Sequence, residues 1–220
     1  MIERWLHLRL TAPLLAFGGV AIDHVGPTRD YPAASALTGL FGNALGWRRE
    51  DGLAHQALQD RLEFGALILR QGRMITDSQN AKLAKDDRGW TTRGSPDERA
   101  GATYDSPHRR RRDYLCDHDC RVVLRLLDGE GPDLARLAAA LDRPARPLFI
   151  GRKPCLPTSP LFAGWLHAPD VEGALRALGL PGRAFWPDTT DTATHDVSDL
   201  RNWVSGLHGG SRSIREVILQ

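Results

Sequence analysis

The stretch DYLCDHDCRVVLRLL, residues 113–127, decides how the chain is read. Its alternation reads as one long strand. The strand is entered through four consecutive arginines, Arg109 to Arg112, which follow His108. Behind these the composition changes. Positions 79–112 hold seven hydrophobic residues (Ala81, Leu83, Ala84, Trp90, Ala100, Ala102 and Tyr104), too few to build a core. The same segment carries nine basic and five acidic side chains. A structureless insertion this long inside a domain usually serves a function.

On the N-terminal side, RWLHLRL (4–10) places Leu6, Leu8 and Leu10 on one face and Trp5, His7 and Arg9 on the other. That period of two predicts an opening strand. Residues 11–32 are rich in turn formers, among them Pro13, Gly18, Gly19, Gly26 and Pro27. AASALTGLFGNALGW (33–47) then carries Leu37, Leu40, Phe41, Ala44 and Leu45 at helical spacing. Gly39, Gly42 and Gly46 lie on another side of that helix, each costing ~1 kcal/mol against alanine. Two reasons for them stay open: close packing on a sheet, or close approach of RNA or a partner backbone. Leu53, Ala54, Ala57, Leu58 and Leu62 give a second short amphipathic helix. EFGALILRQGRMIT (63–76) reads as one or two strands with a turn near Gly72.

Beyond residue 127, PDLARLAAAL (132–141) is a helix with Leu134, Leu137, Ala138 and Leu141 on its stripe. PLFIGRKPC (147–155) reads as a short strand running into a turn. DVEGALRALGL (170–180) is a helix capped by Asp170 and ended by Gly179, with Val171, Ala174, Leu175 and Leu178 inward. Residues 183–210 read as polar and irregular, and SIREVILQ (213–220) as a closing strand. Two strand–helix–strand units around one sheet make the chain α+β, with a ferredoxin-like (RRM-like) architecture. Residues 1–220 form a single domain, of which 183–220 is a polar segment and closing strand. Fold alone assigns no function.

The bulk numbers narrow the classes. The chain has 220 residues, 41% hydrophobic and 25% charged, an ordinary globular composition. Its net charge of +2 means that any nucleic-acid footprint must be local. No apolar run reaches the ~18 residues of a spanning helix, and the alternating N-terminus is not a signal-peptide core. Three cysteines, an odd count, suit reduced thiols in the cytoplasm.

Three chemistries compete for the polar residues. Cys116, His118 and Cys120, with Cys155, have the residue types of a zinc set. Steps of two along a strand advance ~6.6 Å, while Zn–S bonds are ~2.3 Å. Packing thiols flanking a histidine are therefore the favoured reading, with no metal. Metal-independent RNA cleavage needs a base, an acid and a cation near the 2′-hydroxyl, and His108, Tyr104 and the arginines offer all three. The Asp188–Asp196 loop has carboxylates for a metal nuclease, but a Thr/Asp-rich loop is the commoner explanation. A basic grip has the broadest support. Arg109 to Arg112 alternate faces on a strand. Arg152 and Lys153 follow Gly151 at a strand end, and Arg29 precedes a helix whose N-terminus is itself an anion site where Ser35 can donate.

RDYPAASALTGLFGNALGWRRED (29–51), RRRRDYLCD (109–117) and RPLFIGRKPCLPTSPLFAG (146–164) resemble, in order and spacing, the CasD-type subunits of the type I-E CRISPR Cascade complex, members of the RAMP superfamily. The likeness runs from the first strand to residue 164 and returns weakly at GGSRSIREVIL (209–219). It implies a RAMP domain with a protruding β-hairpin or loop thumb, formed here by 77–112. It implies a non-catalytic, cofactor-free subunit that holds the 5′ handle of CRISPR RNA and caps the backbone filament. The thumb would pack over the first guide nucleotide and touch the backbone subunit, with the large subunit nearby and target DNA met only through the complex. In type I-C relatives the same subunit is an endoribonuclease, which keeps repeat-RNA cleavage as the alternative.

Position by position, the resemblance carries over Ser35 at the helix start, where the family's usual basic residue is missing and Arg29 is the nearest substitute. It carries over Arg111, Arg112 and Tyr114 at the strand start, and Gly151, Arg152, Lys153 and Cys155 at the glycine turn. His108, Arg109 and Arg110 fall at the thumb base. Gln79, Asn80 and Lys82 are assigned to RNA by position within the thumb. Arg212 and Arg215 lie in the weak block.

Overall fold

Strand β1 (Glu3–Thr11) buries Leu6, Leu8 and Leu10 on one face and Trp5 on the other, as a period of two requires. The computed structural model that shows this describes residues 2–21, 24–81, 89–90, 96–97, 108–188, 190 and 195–220. Two short strands, β2 (Leu14–Leu15) and β3 (Val25–Gly26), precede helices α1 (Ala34–Leu45) and α2 (Gly52–Arg61). Strands β4 (Leu62–Arg70) and β5 (Arg73–Ala81) follow, joined by the turn foreseen at Gly72. Two-residue strands β6 (Gly89–Trp90) and β7 (Pro96–Asp97) pair with each other. Then come β8 (His108–Cys116), β9 (Asp119–Leu126), α3 (Leu134–Asp142), β10 (Phe162–Ala168), α4 (Val171–Arg176), β11 (Gly182–Pro187), β12 (His195–Arg201) and β13 (His208–Leu219).

Seven strands make one antiparallel sheet in the order β10-β1-β9-β4-β11-β13-β12. Its two faces bury different cores. Leu6, Leu8, Leu10, Phe64, Ile68, Val122 and Leu124 meet Leu37 and Phe41 of α1 and Leu137 and Leu141 of α3. On the other face Trp5, Leu67 and Val123 meet Val171, Ala174 and Leu175 of α4. Each fully buried side chain of this size contributes ~1.5–3 kcal/mol. Gly65 makes the second packing possible, since a Cβ there would lie 2.7 Å from Leu175 Cδ1 and 2.8 Å from Val171 Cγ2. In a smaller sheet β8 is flanked by β5 along its length and by β2 and β3 on its other edge. The result is a mixed α/β domain dominated by antiparallel sheet.

Four expectations need correction. The stretch 113–127 is two strands in two sheets, not one. Asp117 breaks it with φ 55°, the left-handed region that Asp tolerates better than most residues. The break is tied down: Asp117 N–H donates to Pro13 O, Arg70 Nε donates to Asp117 O (2.7 Å), and Gly72 N–H donates to His118 Nδ1 (3.0 Å). Second, 147–155 contains no strand. Its backbone turns back on itself, with Ile150 N–H donating to Cys155 O and Cys155 N–H to Arg152 O. The edge position beside β1 belongs to β10, whose half-buried FAGWLHA carries little alternation.

Third, the segment thought irregular, 183–210, supplies β11 and β12. β12 escaped notice because one of its two buried residues is Asp199, a charge in a core position. Fourth, Leu53 is 78% exposed, and α2 turns His55, Leu58 and Gln59 inward instead. Gln59 earns that place through hydrogen bonds with Arg201 N, Arg201 O and Trp203 Nε1.

The outer face of β1 carries a pH dependence. Burial, with Arg121 and Arg9 close by, lowers the His7 pKa from 6.5 to about 4. Between those values the unfolded chain binds a proton that the folded one refuses. Stability is therefore complete above pH ~6.5 and declines as pH falls toward 4. His118, also lowered by burial, adds with the same sign. Urea midpoints at neutral and mildly acidic pH should differ less in His7→Gln than in the parent chain.

Candidate nucleic-acid interface

A cleft of about 610 Å³ opens between the start of α1, the 16–21 loop, the 149–152 turn and the 198–208 edge. It gathers Arg29, Ser35, Gly151 and Arg152, four of the residues singled out from sequence. The helix glycines divide their labour. Gly42 gives way to His55, whose Nε2 would sit 2.4 Å from a Cβ there. Gly46 takes φ 83° to end the helix. Gly39 lines the cleft, so close packing accounts for only one of the three.

Arg29 donates from Nη2 to Ser198 O, while its Nη1 is buried without a hydrogen-bond partner. A buried guanidinium donor left unmade costs about 1–3 kcal/mol or more. The cleft's carboxylate, Asp199, is not free to repel an anion. Both its oxygens accept from Arg212 (3.0, 3.0 and 2.8 Å), and Oδ2 also accepts from Ala34 N at 3.2 Å. This corrects the reading of the α1 N-terminus as an anion site. Ala33 offers no side-chain cap, and a carboxylate from the far end of the chain already occupies that position.

Arg152 also differs from expectation. Its Nη1 donates to Asp113 O and its Nη2 to Gly26 O (both 2.7 Å), and the guanidinium lies 4.9 Å from the Tyr114 ring centre. It is a strut that locks β3, β8 and the 149–152 turn together. Gly151 permits the turn: φ is +90°, and a Cβ would fall 1.5 Å from Ala16 O. Lys153 beside it is exposed.

Through Gly26 and Asp113 the strut connects the cleft to the arginine strand. The β5–β8 ladder sets Arg112 against Asp77, Arg111 against Ser78, Arg110 against Gln79 and Arg109 against Asn80. Directly paired residues share a face, so Arg110 and Arg112 lie with Gln79 and Asp77, and Arg109 and Arg111 with Asn80 and Ser78. Arg109, Arg110 and Arg111 are exposed; Arg112 is half-buried and reaches His24 O. Gln79 Nε2 is held by Asp77 Oδ2 (2.7 Å). His108 opens β8 opposite Ala81. Lys82, Tyr104 and most of the 77–112 insertion lie outside the described residues.

The cysteines separate as the strand break dictates. Cys116 ends β8 in one sheet, while Cys120 is fully buried in β9 between Leu10 and Ile68 of the other. Burial raises the thiol pKa of Cys120 and of Cys155. The His118 ring packs edge-on against Phe17. Among the described residues no three such side chains converge for a metal, and no helix is long and apolar enough to cross a membrane. Asp188 accepts from Thr190 and lies 3.9 Å from Arg215.

Sequence reading missed the C-terminal wall. Ser198, Asp199, Arg201, Trp203 and Leu207 all line the cleft. The one available signal was the weak block at 209–219, whose Arg212 neutralises Asp199.

Comparison with known proteins completes the picture. The chain is 29% identical over 194 residues to the CRISPR system Cascade subunit CasD of Escherichia coli (strain K12), covering 88% of this chain and 85% of that one. A chain of a solved CRISPR RNA-guided surveillance complex superposes with a TM-score of 0.74 at 22% identity, covering 97% of this chain and 89% of that one. A crystal structure of a Cas protein gives 0.63 at 23% identity, covering 98% and 94%. The model of the family described as CRISPR-associated protein (Cas_Cas5) matches residues 5–215, so the chain belongs to that family.

Proposed function

We propose that this chain is a non-catalytic subunit of a CRISPR RNA-guided surveillance complex of the Cascade kind. It holds the 5′ handle of CRISPR RNA and caps one end of the backbone filament. The observation that carries this is a cleft lined by Arg29 and Arg152, which Arg152 joins to the exposed arginine strand. A single RNA strand with splayed bases suits such a cleft, and the arginines set its position through phosphates. The order β10-β1-β9-β4 supports a ferredoxin-like core, and the β5–β8 ladder supports a thumb built on its extension. In this reading the thumb meets the adjacent backbone subunit, the large subunit docks close by, target DNA is met only through the complex, and the setting is the cytoplasm.

Binding of repeat-derived handle RNA should weaken about tenfold in Arg29→Ala, since a charge-assisted hydrogen bond contributes ~1.5–3 kcal/mol. The log–log salt slope should shrink by ~0.7 for each phosphate-contacting arginine removed. Lys153→Ala is a cleaner probe of the turn than Arg152→Ala, which also cuts the strut. A slope unchanged across Arg29, Arg110 and Arg111 variants counts against the placement. Incubating the chain with repeat RNA in EDTA tests the non-catalytic part. Specific cleavage that disappears in His108→Ala would make it an endoribonuclease instead.

A further inference from the structure

A second cleft, of about 530 Å³, continues from the first. The two share Gly39, Asn43, Arg201, Trp203 and Gly206 in their walls. The second is lined by Arg49, Arg146 and Arg201, by Arg48, which pairs with Glu50 at 3.5 Å, and by Trp47, His55 and Trp203, with no carboxylate among the lining residues. Its aromatic side is rigid. His55 stacks on Trp203 at 4.6 Å between ring centres and meets Trp47 edge-on at 5.2 Å. Trp203 Nε1 is fixed on Gln59. Arg146 is held in place by donating to Gly46 O and Trp47 O.

Arg201 is the costly member. Its guanidinium lies 5.0 Å from the Trp203 ring centre, and its Nε is buried with no hydrogen-bond partner. Burial lowers its pKa, and the neighbouring Arg49 lowers it further. Like charges converging around a space with an orphaned donor call for an anion. An anion there would turn the mutual repulsion of Arg201 and Arg49 into shared attraction.

We propose that this second cleft binds a backbone phosphate of the same RNA strand that occupies the first, the strand passing between them over Gly39. This rests on the RNA reading given above. The missing side chain fits the path: a Cβ at Gly39 has only Trp203 Cη2 near it, at 3.6 Å. Tetrahedral phosphate with several oxygens suits converging guanidinium forks. Continuity of the walls favours RNA over an acidic segment of a partner protein.

The test uses the full chain and handle RNAs shortened one nucleotide at a time from each end, with binding measured across a salt titration. Arg49→Ala should bind the longest RNA about tenfold more weakly, with a log–log salt slope smaller by ~0.7. On RNAs too short to span both clefts it should match the parent chain, whereas Arg29→Ala stays weak on all of them. Arg201→Gln should repeat the length dependence, and thermal melts of both variants report whether the fold is intact. Equal loss on short and long RNA, or no loss on either, overturns the second site while leaving the first standing. Loss of co-purifying protein with RNA affinity unchanged overturns it in favour of an acidic partner. No shift of any RNA by the parent chain overturns both readings.

Discussion

A Gly151→Ala chain is expected to lose ~4 kcal/mol or more of folding stability, a large share of the ~5–15 kcal/mol that native proteins have. The added Cβ would stand 1.5 Å from Ala16 O and 2.6 Å from Ala16 C, and neither atom belongs to a flexible side chain. Relief requires parting the 149–152 turn from the 16–17 segment. That breaks the bond from Ala16 N–H to Ile150 O and unseats Phe17, which is 1% exposed. The φ of +90° adds strain for any side chain. Urea unfolding checks this, with Lys153→Ala two residues away as a control within about 0.5 kcal/mol of the parent.

Asp199→Asn is expected to cost ~3–5 kcal/mol, the usual result of breaking a buried ion pair from one side. The Arg212 side chain is only 17% exposed and makes three hydrogen bonds to a carboxylate that is wholly buried. The amide keeps the shape but removes the charge, so Arg212 remains a desolvated cation over Phe64, 4.2 Å from the ring centre. The cap on Ala34 N weakens at the same time. Arg212→Met added to Asp199→Asn should cost less than the two single changes summed, which a double-mutant cycle reads directly. Full additivity would show that the pair acts separately.

How far the fold was legible depended on where hydrophobic period and burial agreed. Leu6, Leu8 and Leu10, and likewise Val171, Ala174 and Leu175, announced their elements because each inward position is apolar. Asp170 could be named as a cap because its bond to Gly173 N is three residues away. The cap of α1 could not, since it is Asp199, contributed from the opposite end of the sequence. β12 stayed hidden, and α2 was read with the wrong face inward, for a related reason: Asp199, His55 and Gln59 sit inward as partners of Arg212, Trp203 and Arg201. The break at Asp117 left no mark in the alternation, because a single left-handed residue changes direction without changing residue type.

The candidate site was half legible for similar reasons. Arg29, Ser35, Gly151 and Arg152 do converge on one cleft. Nothing local distinguishes an arginine that reaches outward from one, like Arg152, that spends its donors on carbonyls of residues 26 and 113. The second cleft was invisible because Arg49, Arg146 and Arg201 meet only after three distant segments fold together.

The strand order has a consequence for how the protein is made. β4 is bordered on one side by β9 but on the other by β11, which leaves the ribosome more than a hundred residues later. Until then β4 presents an open edge, the kind of surface that recruits stray strands. At ~5–20 residues per second that interval lasts several seconds or more. The helix cap and its counter-ion, Asp199 and Arg212, arrive last of all. Nascent chains stalled before residue 182 should therefore depend on chaperones and be sensitive to proteases, and release of the last forty residues should end that dependence in one cooperative step.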